Sequence, residues 1–140
     1  MCLPTGSCSI GDDGKREVMM PRFLHGDDDA DWQRYVSAFM RHEGYEGDSV
    51  SSGEDLLERL AEGTYDVVIT DNIYDETMNK MSGLDVLEKI RENEKWANVP
   101  VIVLSGSDIE DIVEKMGGLF AGKTLFRGAL VRCLERIRIK

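Results

Sequence analysis

Two runs of consecutive apolar and β-branched residues, Asp66-Val67-Val68-Ile69-Thr70 and Val101-Ile102-Val103-Leu104, limit what this chain can fold into more than any other feature. Neither alternates apolar with polar, so each predicts a strand covered on both faces, as in the middle of a parallel sheet. Amphipathic stretches surround them. Asp29–Glu43 carries Trp32, Tyr35, Val36, Phe39 and Met40 at helical spacing, one buried stripe. Ser52 is placed to cap a helix over Gly53–Ala61 that buries Leu56, Leu57 and Leu60 and stops at Gly63. Gly83–Glu92, capped by Ser82, turns Leu84, Leu87 and Ile90 inward. Asp108–Met116 does so with Ile109, Ile112, Val113 and Met116, and Leu125–Arg138 with Phe126, Leu130, Leu134 and Ile137. Arg22–His25, a weaker Glu46–Val50 and a short strand just before Lys123 complete the alternation. Strands alternating with helices imply βαβ units with right-handed crossovers, hence an α/β fold: a doubly wound, five-stranded parallel sheet with five helices.

At 140 residues the chain suits one domain. Residues 1–19, rich in Gly, Ser and Asp without apolar periodicity, read as a leader or tail outside a core of residues 20–140. No apolar run approaches the ~20 residues of a membrane span, and no signal-peptide pattern is present. The three cysteines, Cys2, Cys8 and Cys133, form neither a disulfide framework nor a zinc motif, so a cytoplasmic protein with reduced thiols is expected. A net charge of −10 opposes direct nucleic-acid binding. Residues 123–140 depart from that balance with six Lys/Arg against one acid, a distribution read as the solvated face of a C-terminal helix.

In doubly wound sheets, chemistry gathers past the carboxyl ends of the strands. Those positions hold Asp27, Asp28 and Asp29 after the first strand, Asp71 after the third, Ser105 after the fourth and Lys123 after the fifth. Carboxylates brought together this closely need a shared proton or a hard divalent cation, and Mg²⁺, which keeps waters and accepts one or two carboxylates plus phosphate oxygens, is the natural occupant. A lysine and a hydroxyl beside it could hold phosphoryl oxygens, with Asp71 as the nucleophile.

In order along the chain, Asp27-Asp28, Asp71 at the end of YDVVITD, Met78-Asn79-Lys80-Met81-Ser82-Gly83, Ser105-Gly106 at the end of VPVIVLSG, and Lys123 resemble the receiver domains of two-component response regulators, from about Arg22 onward. The resemblance implies a phospho-acceptor at Asp71 loaded by a sensor histidine kinase or a phosphotransfer protein. Mg²⁺ would be held by Asp28 directly, Asp27 mainly through water, Asp71, and the backbone carbonyl of Ile73. Ser105 and Lys123 would receive phosphoryl oxygens, and Ser105 with Phe120, three residues before the lysine, would form the switch that alters the surface presented to a downstream protein. It implies no enzymatic activity beyond self-phosphorylation and dephosphorylation and allows a homodimer through the last elements; no output domain is expected, because the sequence stops after the fifth helix.

This chain departs from the family pattern in several places. Six residues separate Asp71 from Met78 where the family has two, which adds Asp75 and Glu76 as solvated loop charges. The stretch from Ser105 to Lys123 is about one helical turn short, which trims the fourth helix or its loop. Thr124 replaces the usual proline, favouring a trans bond after Lys123. His25-Gly26 replaces an apolar strand end; His25 is read as structural, His42 as surface. Two other readings remain: a receiver-like interaction module without regulated phosphorylation, and a Mg²⁺-dependent phosphatase of the haloacid-dehalogenase kind, which would want a second Asp where Ile73 stands.

Overall fold

The computed structural model describes residues 20–72 and 81–138. Five strands, β1 (Arg22–Gly26), β2 (Glu46–Val50), β3 (Val67–Asp71), β4 (Val101–Ser105) and β5 (Leu119–Gly122), form one parallel sheet in the order β2-β1-β3-β4-β5. The helices are α1 (Ala30–His42), α2 (Gly53–Glu62), α3 (Gly83–Glu92), α4 (Glu110–Lys115) and α5 (Phe126–Arg138). Among the described residues no helix is long and apolar enough to cross a membrane.

The pleat divides the core in two. Val67 and Ile69 of β3 and Ile102 and Leu104 of β4 pack with Val36 and Met40 of α1 and Leu130 and Leu134 of α5. The intervening residues, Val68, Val101 and Val103, pack on the other side with Leu56 of α2, Val86, Leu87 and Ile90 of α3 and Val113 of α4. Continuous apolar runs are the requirement of strands covered on both faces, so the two runs singled out in the sequence became the central strands.

Local signals set the helix starts. Asp29 caps α1, its carboxylate accepting from the backbone N–H groups of Asp31 and Trp32. Ser52 caps α2, and Ser82 with Asp85 forms a reciprocal capping box on α3. Two expected core positions point outward, and one further large apolar residue is exposed. Tyr35 is 49% and Ile112 50% exposed, and Leu125, outside the start of α5, is 77% exposed. Periodicity marks the width of a stripe but not where the neighbouring element ends: six-residue α4 buries Val113 and leaves Ile112 outside, and Tyr35 lies at the rim of the α1 stripe. Among the described residues no peptide bond is cis, that after Lys123 included. The leader 1–19, Cys2 and Cys8, and the loop residues Ile73, Asp75, Glu76, Thr77 and Met78 lie outside the described residues.

Candidate functional site

β1 is flanked by β2 on one side and β3 on the other, so the chain leaves β1 in both directions and opens a crevice where they diverge. Asp27 and Asp28 follow β1, and Asp71 is the last residue of β3. One carboxylate oxygen from each of the three lies within 4.8 Å of the others, with Asp27 and Asp71 buried and Asp28 exposed. Lys123, just past β5, reaches the same place and pairs its Nζ with Asp71 Oδ1 at 2.8 Å.

Several contacts set this geometry. Gln33 of α1 donates to the carbonyl of Asp27 at 2.6 Å, and the Asp27 N–H donates to the carbonyl of Val50 at 3.0 Å, which fixes the turn that carries both acids. The Asp29 N–H donates to Asp27 Oδ1 at 2.9 Å. Gly83 abuts the end of β3: a Cβ there would fall 2.3 Å from the carbonyl oxygen of Asp71. Its N–H donates to the Asn72 carbonyl at 2.7 Å, so only glycine lets α3 start this close to Asp71.

The electrostatics follow from burial. Burial pushes the Asp27 carboxyl up to about 7; the Asp29 N–H and Lys123 oppose the shift, and Asp71 and Asp28 add to it. Asp71 is likewise raised by burial, against the hydrogen bond and charge of Lys123. Raised carboxyls around a shared space, with oxygen donors only, fit a small hard divalent cation, because bringing in positive charge relieves what burial and mutual repulsion impose.

Ser105 ends β4 beside this crevice. It is buried, its Oγ accepts the Ser107 N–H at 3.0 Å, and its carbonyl accepts the Lys123 N–H at 2.9 Å. Phe120 lies on β5, half-buried against the core formed with α2, α3 and α4. Asp29 and His42 stay outside the pocket: Asp29 is a helix cap and His42 is a surface residue beside Glu43. Two neighbours escaped the sequence reading. Trp32, expected in the buried stripe, is half-buried against the first core and also sits under Lys123, whose Nζ is 4.9 Å from the ring centroid. His25, read as structural, is fully buried with Nε2 3.9 Å from Asp27 Oδ2. Trp32 carried no signal beyond its place one turn past the acids; His25 did, as a polar residue where a strand end should be apolar.

A doubly wound α/β domain with an acidic pocket and an apposed lysine at its switch point is the class these features define. The family model for the response regulator receiver domain matches residues 24–125, and the chain belongs to that family: it is a receiver domain of a two-component response regulator. It is 26% identical over 103 residues to the response regulator ArlR of Staphylococcus saprophyticus, covering 74% of this chain and 43% of that protein. To the transcriptional regulatory protein CpxR homolog of Haemophilus influenzae it is 31% identical over 96 residues, 67% of this chain and 39% of that one. It thus spans about two-fifths of the length of these relatives. Among solved structures, the chemotaxis response regulator CheY4 of Vibrio cholerae shares the fold with a TM-score of 0.73 at 21% identity, covering 85% of this chain and 99% of that one. The response regulator TrrA of Thermotoga maritima, solved in complex with Mg²⁺-BeF, superposes with a TM-score of 0.72 at 26% identity over 84% of this chain and 99% of that one.

Proposed function

We propose that this domain accepts a phosphoryl group on Asp71 from the phosphohistidine of a sensor kinase or phosphotransfer protein and thereby switches a protein-binding surface. The observation that carries the reading is the convergence of Asp27, Asp28, Asp71 and Lys123, from three separate strand ends, on one crevice. Asp27, Asp28 and Asp71 would hold Mg²⁺, which when bound supplies positive charge against the incoming phosphoryl oxygens. The Mg²⁺ in the TrrA complex supports that choice of cation.

An Asp71 carboxylate oxygen attacks phosphorus in line, the P–N bond to the donor imidazole breaks, and the imidazole leaves with the electron pair. The carboxylate must be ionised to attack. Lys123, 2.8 Å from Asp71 Oδ1, favours that state and then exchanges its partner for a phosphoryl oxygen. Ser105 gives up the Ser107 N–H and donates its own hydroxyl to a second oxygen. Its movement opens space on the side where Phe120 packs against the core shared by α2, α3 and α4, so that a local charge change biases a two-state packing. The partner-facing elements are α4, β5 and α5.

Incubation with Mg²⁺ and acetyl phosphate should yield an acid-stable, hydroxylamine-labile phosphoprotein, and Asp71→Asn should abolish it. An unlabelled parent protein would favour the interaction-module reading instead.

A further inference from the structure

Among the described residues, three buried side-chain nitrogen or oxygen atoms have no hydrogen-bond partner: Nδ1 and Nε2 of His25, and Oδ2 of Asp27. They belong to two residues that face each other, with Nε2 and Oδ2 separated by 3.9 Å. Buried polar groups almost always find partners, so Nε2 and Oδ2, the two orphans that meet across one gap, point to a bond between them, in which Nδ1 takes no part. The Asp27 carboxylate is otherwise held on one side only, through Oδ1 and the Asp29 N–H.

His25 occupies a slot built for an apolar residue. It lies between Ser49 of β2 and Ile69 of β3 in the sheet register, has no exposed surface, and sits on a strand whose preceding residues, Phe23 and Leu24, are pure core. Burial and the charge of Lys123 keep its ring neutral. A neutral imidazole carries one N–H and one lone-pair nitrogen, and only the Nε2–H tautomer can serve a carboxylate at this position.

We propose that His25 is a positioning residue for the acidic pocket, donating Nε2–H to Asp27 Oδ2 and clamping that carboxylate between itself and the Asp29 N–H. A contraction of about 1 Å converts the present separation into a hydrogen bond. The clamp presets the Asp27 lone pairs toward the cation space shared with Asp28 and Asp71. Outer-shell partners of metal-binding groups act in this way, and their loss weakens metal affinity roughly 10–100-fold. The role rests on the Mg²⁺ reading above.

Calorimetric titration of the full chain with Mg²⁺, alongside His25→Leu and His25→Gln, tests it. Leucine fills the slot without a donor, whereas glutamine returns an amide N–H near the place of Nε2. His25→Leu should raise the Mg²⁺ Kd about tenfold or more, and His25→Gln should recover most of that loss. Ring-nitrogen chemical shifts of the isotope-labelled parent, which need no variant, should report the Nε2–H tautomer. A ring protonated on Nδ1, or equal Mg²⁺ affinity in parent and His25→Leu, overturns the role of His25 and leaves the metal reading standing. A parent that takes up no Mg²⁺ overturns the metal reading and this role together.

Discussion

The two sides of the sheet end differently at the carboxyl edge. On the side of α2, α3 and α4 the core runs apolar toward the edge, through Leu87, Val86, Val103 and Phe120, and its polar additions are hydroxyls, Thr70 and Ser105. On the side of α1 and α5 the pleat that buries Phe23, Ile69 and Ala121 continues two residues on into His25, Asp71 and Lys123. One side is thus built to pack and the other, for its last layer, to hold charge. Both layers are largely buried, so what differs is the cost of burying what each contains.

The contrast can be broken most strongly on the packed side. Leu87→Ala should cost about 3 kcal/mol in urea unfolding, the loss of a fully buried leucine with little room to relax. A charge-side change should act on chemistry first: Lys123→Met should slow labelling by acetyl phosphate about a hundredfold, because it removes the positive partner that keeps buried Asp71 ionised and receives the phosphoryl oxygen.

The buried pair sharpens the comparison through pH. Asp27 is raised from 3.8 to about 7, so the native chain holds a proton that the unfolded chain releases in that window, and this contribution to stability falls as pH rises through it. His25 is lowered from 6.5 to about 3; the unfolded chain takes a proton that the native one refuses, so its contribution rises with pH over that window. The two largely cancel in the parent. His25→Leu should leave stability falling from pH 4 to 7, and Asp27→Asn should leave it rising, each by on the order of 2 kcal/mol in denaturant titrations at stepped pH. Parallel slopes in the two variants would break the assignment. The smallest effect belongs to the aromatic floor under Lys123: Trp32→Leu should reduce labelling only a few-fold, consistent with a cation–π contact of about 1 kcal/mol. Tryptophan fluorescence should change on phosphorylation in Trp96→Phe and not in Trp32→Phe, since Trp32 lies under Lys123 and Trp96 packs against the other core.

Much of the architecture was legible because it depends on local chemistry. Val67–Ile69 and Val101–Leu104 read as central strands from composition alone, and Ser52, Ser82 and Asp29 read as helix starts because a cap satisfies N–H groups within its own turn. The acidic pocket was legible one step further on, since doubly wound topology sends every strand's carboxyl end to one edge and the acids sit just past those ends. The outward turn of Tyr35 and Ile112 was not, because a helical stripe does not say how far its neighbour reaches. Nor was the placing of Trp32 under Lys123, 91 positions further along the chain.

Asp71, Asp27, Asp28 and Lys123 were therefore determined by the sequence as residues of the right kind at the ends of predicted strands. The tertiary structure alone decided that Lys123 pairs with Asp71, that Trp32 lies beneath it, and that His25 faces Asp27. The physical reason is range: periodicity and capping act within a few residues, whereas these contacts join α1, β1, β3 and β5, whose neighbours are set only when the whole sheet closes its two cores.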